Sequence, residues 1–173
     1  NMHTLLDLLK QNNIQKIKEL DSSNLVISED ALYYLIKKNN IEVLTILLNK
    51  NAGLPFYLRD ILIRELVLRS RIDFIDILFS NANINRILDI QEILLKASVF
   101  GKITLFKHIV NKYDIDVTYL KNIYFLNACK NKKEKIYLYL WKFPEVKKSL
   151  KEFNKDIYNK FIKLECKEKI TNF

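Results

Sequence analysis

The sequence predicts an all-α fold, a helical-repeat solenoid of about five helix pairs followed by a C-terminal capping helix. Three observations predict it. Similar segments recur every 31 residues, their apolar residues follow helical spacing, and glycine and proline occur only twice each in 173 residues. Because the tightest hairpin turns need glycine or asparagine at positive φ, the scarcity of glycine favours helices over hairpins.

The repeat is clearest in four ten-residue segments that start at Asn39, Ser70, Gly101 and Lys132. In each segment apolar side chains stand at the fifth, sixth, ninth and tenth positions, which is the pattern of a helix that buries one face. An earlier copy covers residues 12–21 at a spacing of 27 residues and keeps Ile14, Ile17 and Leu20. The apolar residues of the four segments are Val43, Leu44, Leu47 and Leu48; Phe74, Ile75, Leu78 and Phe79; Leu105, Phe106, Ile109 and Val110; and Ile136, Tyr137, Leu140 and Trp141.

A second helical stretch precedes each of these segments, and its apolar positions repeat in the same register. We predict that it forms an inner helix and that the ten-residue segment forms an outer helix. One such pair cannot bury both apolar stripes, so neighbouring pairs must stack. The inner positions are Leu5, Leu8 and Leu9; Leu32, Leu35 and Ile36; Ile63, Leu66 and Val67; Leu94, Ala97 and Ser98; and Phe125, Ala128 and Cys129.

The period divides the chain into one repeat domain over residues 1–173. An N-terminal cap repeat (4–27) comes first, then four repeats (28–58, 59–89, 90–120 and 121–148), then the capping helix (149–173). Asp89 with Glu92, and Ser149 with Glu152, have the spacing of capping boxes, which predicts helix starts at these points.

The sequence lacks the common motifs of catalytic and metal-binding sites. It contains no Gly-rich phosphate loop, no Cys-x-x-Cys, no His-Glu-x-x-His and no Gly-x-Ser-x-Gly. His3 and His108 are far apart, Cys129 occupies a small packing position and Cys166 is expected to be exposed. We therefore expect no catalytic residue, no metal site and no cofactor, and predict that the protein is not an enzyme.

Cysteine content and hydropathy indicate the cellular location. Two cysteines do not make a disulfide framework, which indicates a reducing intracellular compartment. Neither an export signal nor an uncharged stretch of 18 residues occurs, so no membrane span is expected. We predict an intracellular, cytoplasmic protein.

The repeated segments resemble ankyrin repeats. Residues 39–52 (NNIEVLTILLNKNA) and 100–110 (FGKITLFKHIV) are similar to the family's outer-helix signature, and residues 81–85 (NANIN) are similar to its closing turn. The resemblance covers roughly residues 4–147 by the period of the repeat. The chain departs from the family in lacking the Thr-Pro-Leu-His opening, in its 31-residue period and in keeping the repeat glycine only at Gly101. Shortened or missing β-hairpin fingers are the expected consequence.

The resemblance implies a protein-interaction module that binds a partner protein through its concave face. We also expect a monomer. Carried over by register, the partner-binding residues are Lys37, Lys38, Leu68, Arg69, Val99, Phe100, Lys130 and Asn131. Leu68, Val99 and Phe100 are either apolar anchors for a partner or, if the helices are shifted, part of the core. The abundance of Ile, Asn and Lys, typical of AT-rich genomes, together with the resemblance suggests a viral or pathogen factor acting on host proteins in host cytoplasm or nucleus.

The distribution of charge supports a second function. The net charge is +9, and residues 121–173 contain 14 Lys against 6 Asp and Glu. This surplus serves solubility or, alternatively, binds nucleic acid or another anionic surface. The lysines of this alternative site are Lys132, Lys133, Lys135, Lys151 and Lys155.

Overall fold

The computed structural model describes residues 4–81 and 87–167, and these residues are predominantly α-helical, as predicted. They form two compact units, one ending at Asp89 and the other starting at Ile90. This boundary coincides with the predicted repeat boundary at residue 89, and a continuous array across both units stays a prediction. Unit 1 contains α1 (Leu5–Lys10), α2 (Ile14–Glu19), α3 (Glu29–Lys38), α4 (Ile41–Asn49), α5 (Arg59–Leu68) and α6 (Ile72–Phe79). Unit 2 contains α7 (Ile90–Phe100), α8 (Ile103–Lys112), α9 (Tyr119–Lys130), α10 (Glu134–Trp141), α11 (Pro144–Phe153) and α12 (Lys155–Cys166).

The 31-residue period is the spacing between residues of left-handed backbone conformation, each of which ends an inner helix. Asn39, Ser70, Gly101 and Lys132 have φ of 52°, 51°, 75° and 57°, and Asn12 plays the same part with φ 49°. The amide of the next residue donates to a carbonyl five residues back, as in the bond from Asn40 to Leu35 (3.0 Å). This is the Schellman ending of a helix, which usually employs glycine. The chain therefore forms the turn with three other residue types where the resembled family has glycine.

The residue after each left-handed position begins the outer helix. Asn13 and Asn40 cap their helices with side-chain oxygens that accept from the amides of Lys16 (3.2 Å) and Val43 (3.1 Å). Lys102 and Lys133 occupy the same place with nearly the same backbone angles and form no side-chain cap. The outer helices of unit 2 thus begin without the hydrogen bond that stabilises α2 and α4.

Helix pairs stack in unit 1. The inner helices pack in the order α1, α3 and α5, and the outer helices in the order α2, α4 and α6. The loops that precede α3 and α5 meet in a single parallel bridge between Val26 and Gly53, with the Ile27 amide donating to the Gly53 carbonyl (2.8 Å). The Gly53 amide in turn donates to the Leu25 carbonyl (2.7 Å), and shortened or missing hairpin fingers stay a prediction.

In unit 2, two helix pairs are followed by two further helices. Inner helix α7 packs on α9, and α8 and α9 both pack on α10, while α11 packs on α9, α10 and α12. Within α9, the residues Leu120, Lys121 and Asn122 are left-handed, so the regular right-handed part starts at Ile123. Such residues cost about 1–2 kcal/mol each, and the side chain of Asn122 is fully buried, where it donates to Ser149 (2.7 Å).

The C-terminal part differs from the prediction of one capping helix over 149–173. Ser149 does not start a helix, because α11 has already begun at Pro144, whose ring fixes φ and whose missing amide costs nothing in the first turn. Helix α11 ends before Asn154, which is not helical, and α12 begins at the next residue. The predicted capping box of Ser149 and Glu152 is therefore wrong. Asp89, by contrast, directly precedes α7, as predicted for a helix start.

The predicted core is confirmed at nearly every inner and outer position. Most of these side chains are buried, whereas Leu5, Phe79, Val110, Cys129 and Tyr137 are half-buried. Ser98 is buried too, and its hydroxyl donates to the Leu95 carbonyl (2.6 Å), which satisfies it inside the helix. The apolar register read from the sequence thus describes the interior of each unit.

Candidate protein-binding surface

Four of the predicted partner-binding residues lie together in unit 1, at the C-terminal ends of the adjacent helices α3 and α5. Lys37 and Lys38 end α3, Leu68 ends α5 and Arg69 caps α5. Leu68 is 37% exposed, so it belongs to the surface and not to the core. The interpretation of Leu68 as buried by a helix shift is thereby excluded.

Tyr33 completes this group and was not predicted from the sequence. It lies on α3 one turn before Lys37, on the same face of the helix, and is 41% exposed. A signal was present, since an aromatic residue four positions before a predicted contact residue shares its face. We refer to Tyr33, Lys37, Leu68 and Arg69 as the Tyr33–Leu68 surface.

Arg69 is held in place by two neighbours. Its Nε donates to Glu65 Oε2 (3.0 Å), one turn earlier on α5, and its Nη2 donates to the Tyr33 hydroxyl (3.1 Å). The guanidinium carbon lies 5.4 Å from the centre of the Tyr33 ring. The hydrogen bond with Glu65 raises the pKa of Arg69, so the group stays charged. An arginine and a tyrosine ordered beside an exposed leucine present a preorganised polar and apolar surface.

Arg71 fixes the relation between α3 and the following repeat. Its Nε and Nη2 donate to the carbonyls of Ile36 and Lys37, each at 2.8 Å. These carbonyls belong to the last turn of α3, where the regular i+4 amide partners end and positive charge is favoured; the Ile36 carbonyl also accepts from the Asn39 amide (3.1 Å). Arg71 thus positions the backbone of Lys37 beneath the surface. Arg71 could not be predicted from the sequence, because its role depends on contacts 34 and 35 residues away.

The other four predicted partner-binding residues lie in unit 2, on the adjacent helices α7 and α9. Val99 and Phe100 are half-buried, and the ammonium group of Lys96 lies 5.9 Å from the centre of the Phe100 ring. Lys130 is exposed, while Asn131 turns its side chain back to the Asn127 carbonyl (2.8 Å). This group is less exposed than the surface of unit 1.

The lysines of the alternative nucleic-acid site fall into two groups. Lys132, Lys133 and Lys135 follow the C-terminal end of α9, where the stem of Lys133 lies over Gly101. Lys151 and Lys155 flank Phe153, whose ring centre is 4.9 Å from the ammonium group of Lys121 at the other end of α9. The right-handed part of α9, residues 123–130, separates the ends by about 12 Å.

Groups with catalytic potential are dispersed. His108 is half-buried on α8, Cys166 is exposed as predicted, and Asp73 and Asp114 are exposed. Burial raises the pKa of the Cys129 thiol to about 12, which suppresses its nucleophilic form. No cluster of three metal-ligating side chains occurs in residues 4–81 and 87–167.

The helices are short and carry polar side chains. Across the described part of the chain, none is long and apolar enough to cross a bilayer. Comparison with protein-family models, curated proteins and solved structures gives no match to this chain.

Proposed function

We propose that the protein is a non-catalytic interaction module of ankyrin-like helix pairs that binds a partner protein through the Tyr33–Leu68 surface. The observation that carries the proposal is the exposure of Leu68 beside Tyr33 and an ordered Arg69. Tyrosine and arginine are enriched among the residues that dominate interface energies, and they act most strongly around apolar side chains that a partner desolvates.

The charge of the surface indicates the kind of partner. Lys37 and Lys38 are exposed at its edge, and Glu65, the acid nearest Arg69, is already engaged by that arginine. A partner segment with an apolar side chain over Leu68 and carboxylates toward the two lysines would complement it. Complementary charge of this kind speeds association and selects partners more than it adds affinity.

Photo-crosslinking tests the proposal. A benzoylphenylalanine placed at position 68 in the full chain, expressed in cells, is expected to capture a defined protein that mass spectrometry identifies. The matched control places the same group at Thr45, which is exposed on the outer helix α4. Capture of the same protein from both positions, or from neither, would overturn the proposal.

The purified captured protein allows a quantitative test. Leu68→Asp is expected to weaken its binding about 30-fold, equivalent to about 2 kcal/mol, because a carboxylate cannot be desolvated in an apolar pocket. Leu68→Met, which keeps an apolar side chain, is expected to retain binding. Because Leu68 is exposed, both variants should melt within a few degrees of the parent. Equal affinities for the two variants would contradict the role of Leu68.

A further inference from the structure

Unit 2 contains a cleft between α9, α10 and α12 that the proposed function does not use. Its volume is about 420 Å³. Phe161 packs against Phe125 and Tyr137, with ring centres 5.0 and 5.4 Å apart, and this contact props α12 over the other two helices. The walls beside it are mostly apolar and are formed by Leu126, Cys129, Tyr137, Ile157, Phe161 and Leu164.

Two lysines border this apolar space. Lys130 lies at the end of α9 and Lys160 lies on α12, and both are exposed residues that line the cleft. Neither ammonium group forms an ion pair with any residue in the described ranges. The positive charge of Lys160 reaches the cleft wall, since it acts against burial on the pKa of Cys129.

The acids near the cleft offset only part of this positive charge. Burial, and after it the charge of Glu134, raises the pKa of Tyr137. The negative charge of Glu134 therefore also acts on the wall of the cleft. Glu165 on α12 lies 3.4 Å from Lys147 and is compensated there. Residues from Ile90 onward have 18 Lys against 9 Asp and Glu, so the unit as a whole attracts anions.

The size of the cleft favours a small molecule over a protein segment. Pockets of about 300–1,000 Å³ hold small ligands, and the cleft follows α12 for about 10 Å, from Ile157 to Leu164. A peptide could insert only one or two side chains, far less than the roughly 800 Å² that each partner buries in a stable protein interface. A ligand with an apolar tail would pack against the walls of the cleft, and an acid group on the same ligand would pair with the lysines at its mouth.

We propose that this cleft binds a single-chain amphiphilic carboxylate, with its alkyl tail between α9, α10 and α12 and its carboxylate between Lys130 and Lys160. The site is separate from the Tyr33–Leu68 surface and does not rest on the protein-binding proposal. The lysines select an anion because a charge-assisted hydrogen bond is about twice as strong as a neutral one. The apolar walls select a ligand with a tail over a short acid.

Three ligands with one tail and different head groups test the proposal. Decanoate, decanol and decylamine are titrated into the full chain below their aggregation limits, and binding is measured by calorimetry. Decanoate is expected to bind about tenfold more tightly than decanol, because its hydrogen bonds to the lysines are charge-assisted, and decylamine is expected to bind more weakly than either, because its ammonium group is repelled by them. Acetate, which shares the head group without the tail, is expected not to bind.

The chain provides matched variants and an internal control. Lys160→Gln is expected to weaken decanoate about tenfold without changing decanol, whereas Lys163→Gln, an exposed lysine on the same helix that does not line the cleft, is expected to change neither. Decanoate is also expected to slow alkylation of Cys129 by N-ethylmaleimide while leaving the exposed Cys166 unaffected.

Several outcomes overturn the proposal. These are equal affinity for decanoate and decylamine, equal loss in the Lys160 and Lys163 variants, or no protection of Cys129 at saturating decanoate. Protection of Cys129 by an acidic Phe-containing peptide but not by decanoate would assign the cleft to a protein instead. Leu68→Asp, which tests the protein-binding surface of unit 1, is expected to leave decanoate binding unchanged, so the two proposals fail independently.

Discussion

Single residues at the end of each inner helix decide how readily the repeats form. A left-handed residue is needed every 31 positions, and the chain meets this need with Asn39, Ser70, Gly101 and Lys132. Glycine adopts this conformation without steric cost and asparagine tolerates it, whereas lysine has neither advantage. Lys132, like Ser70, therefore fits the turn less well than Asn39 or Gly101.

Replacement of this lysine tests the turn. Lys132→Gly is expected to raise the free energy of unfolding by about 1 kcal/mol, because a Cβ in the left-handed region is relieved. Urea denaturation followed by circular dichroism measures the change. Lys135→Gly, at an exposed position inside α10, is the control and is expected to lower stability by a similar amount. The turn assignment is wrong if both variants are destabilised.

The reverse change is expected at Gly101. Gly101→Ala should destabilise the protein by about 1 kcal/mol, since φ is 75° and the new Cβ would stand 2.7 Å from Cδ of Lys133. Because the stem of Lys133 is flexible, the backbone term dominates. In the double variant Gly101→Ala, Lys133→Ala, most of the loss should therefore remain; complete recovery would indicate a side-chain clash instead.

The two thiols are expected to differ strongly in reactivity. Burial raises the pKa of Cys129 to about 12, so at pH 8 only about one thiol in ten thousand is ionised there. Cys166 is exposed near the end of α12. Ellman's reagent should therefore titrate one thiol rapidly in the native protein and two in denaturant. Two equally fast thiols in the native state would place Cys129 in solvent.

At the scale of the helix, the outer helices differ in how their first turns are satisfied. α2 and α4 have asparagine caps, whereas α8 and α10 begin after lysines that cannot accept a hydrogen bond. The backbone angles at Lys102 (φ −83°, ψ 77°) and Asn40 (φ −84°, ψ 78°) are nearly the same. An asparagine at position 102 can therefore cap α8 without rearrangement.

Exchange of the cap residues makes this difference measurable. Lys102→Asn is expected to stabilise the protein by about 1 kcal/mol, and Asn40→Ala to destabilise it by about the same amount. Thermal unfolding gives both values, with Lys107→Asn, at an exposed position within α8, as the control for a lost lysine. If Lys102→Asn were no more stable than that control, capping would not limit α8.

Elements that depend on local register could be predicted from the sequence. Leu35, Leu66, Ala97 and Ala128 repeat at one spacing, and the structure buries all four. Helical periodicity reports burial directly, since every 3.6 residues return to the same face. The same periodicity predicts that Leu68 lies at the end of its helix, but it does not predict whether a neighbouring side chain covers it.

Features that depend on distant contacts could not be predicted. Arg71 acts on carbonyls of α3, and Asn122 is held in a left-handed turn by Ser149 on α11. Ser149 has the sequence signature of a cap, but Pro144 starts the helix five residues earlier and places Ser149 within it. Local propensity cannot rank these alternatives, because the deciding interactions are tertiary.

At the scale of the whole molecule, the two units differ in net charge. Residues up to Asp89 have 11 Lys and Arg against 11 Asp and Glu, whereas those from Ile90 have 18 against 9. The proposed protein-binding surface thus belongs to a neutral unit, and the entire net charge of +9 belongs to the other. Salt should therefore act on partner binding to unit 1 through the local charges of Lys37 and Lys38, mainly by slowing association, because the unit has no net charge of its own.

The charge of unit 2 leads to a prediction for single-stranded nucleic acid. Lys132, Lys133 and Lys135 lie close together after α9, whereas Lys151 and Lys155 lie near its other end, so the group of three lysines is expected to provide the phosphate contacts. Release of about three counterions gives a log-log salt slope of about −2, and affinity for a labelled oligothymidine should fall about 20-fold between 50 and 200 mM salt. Fluorescence anisotropy measures this slope, and charge reversal at 132, 133 and 135 should abolish the binding. A slope of about −3.5, as five cooperating lysines would produce, would instead support a single nucleic-acid surface. In that case the basic unit would carry a function of its own, and its lysines would not serve solubility alone.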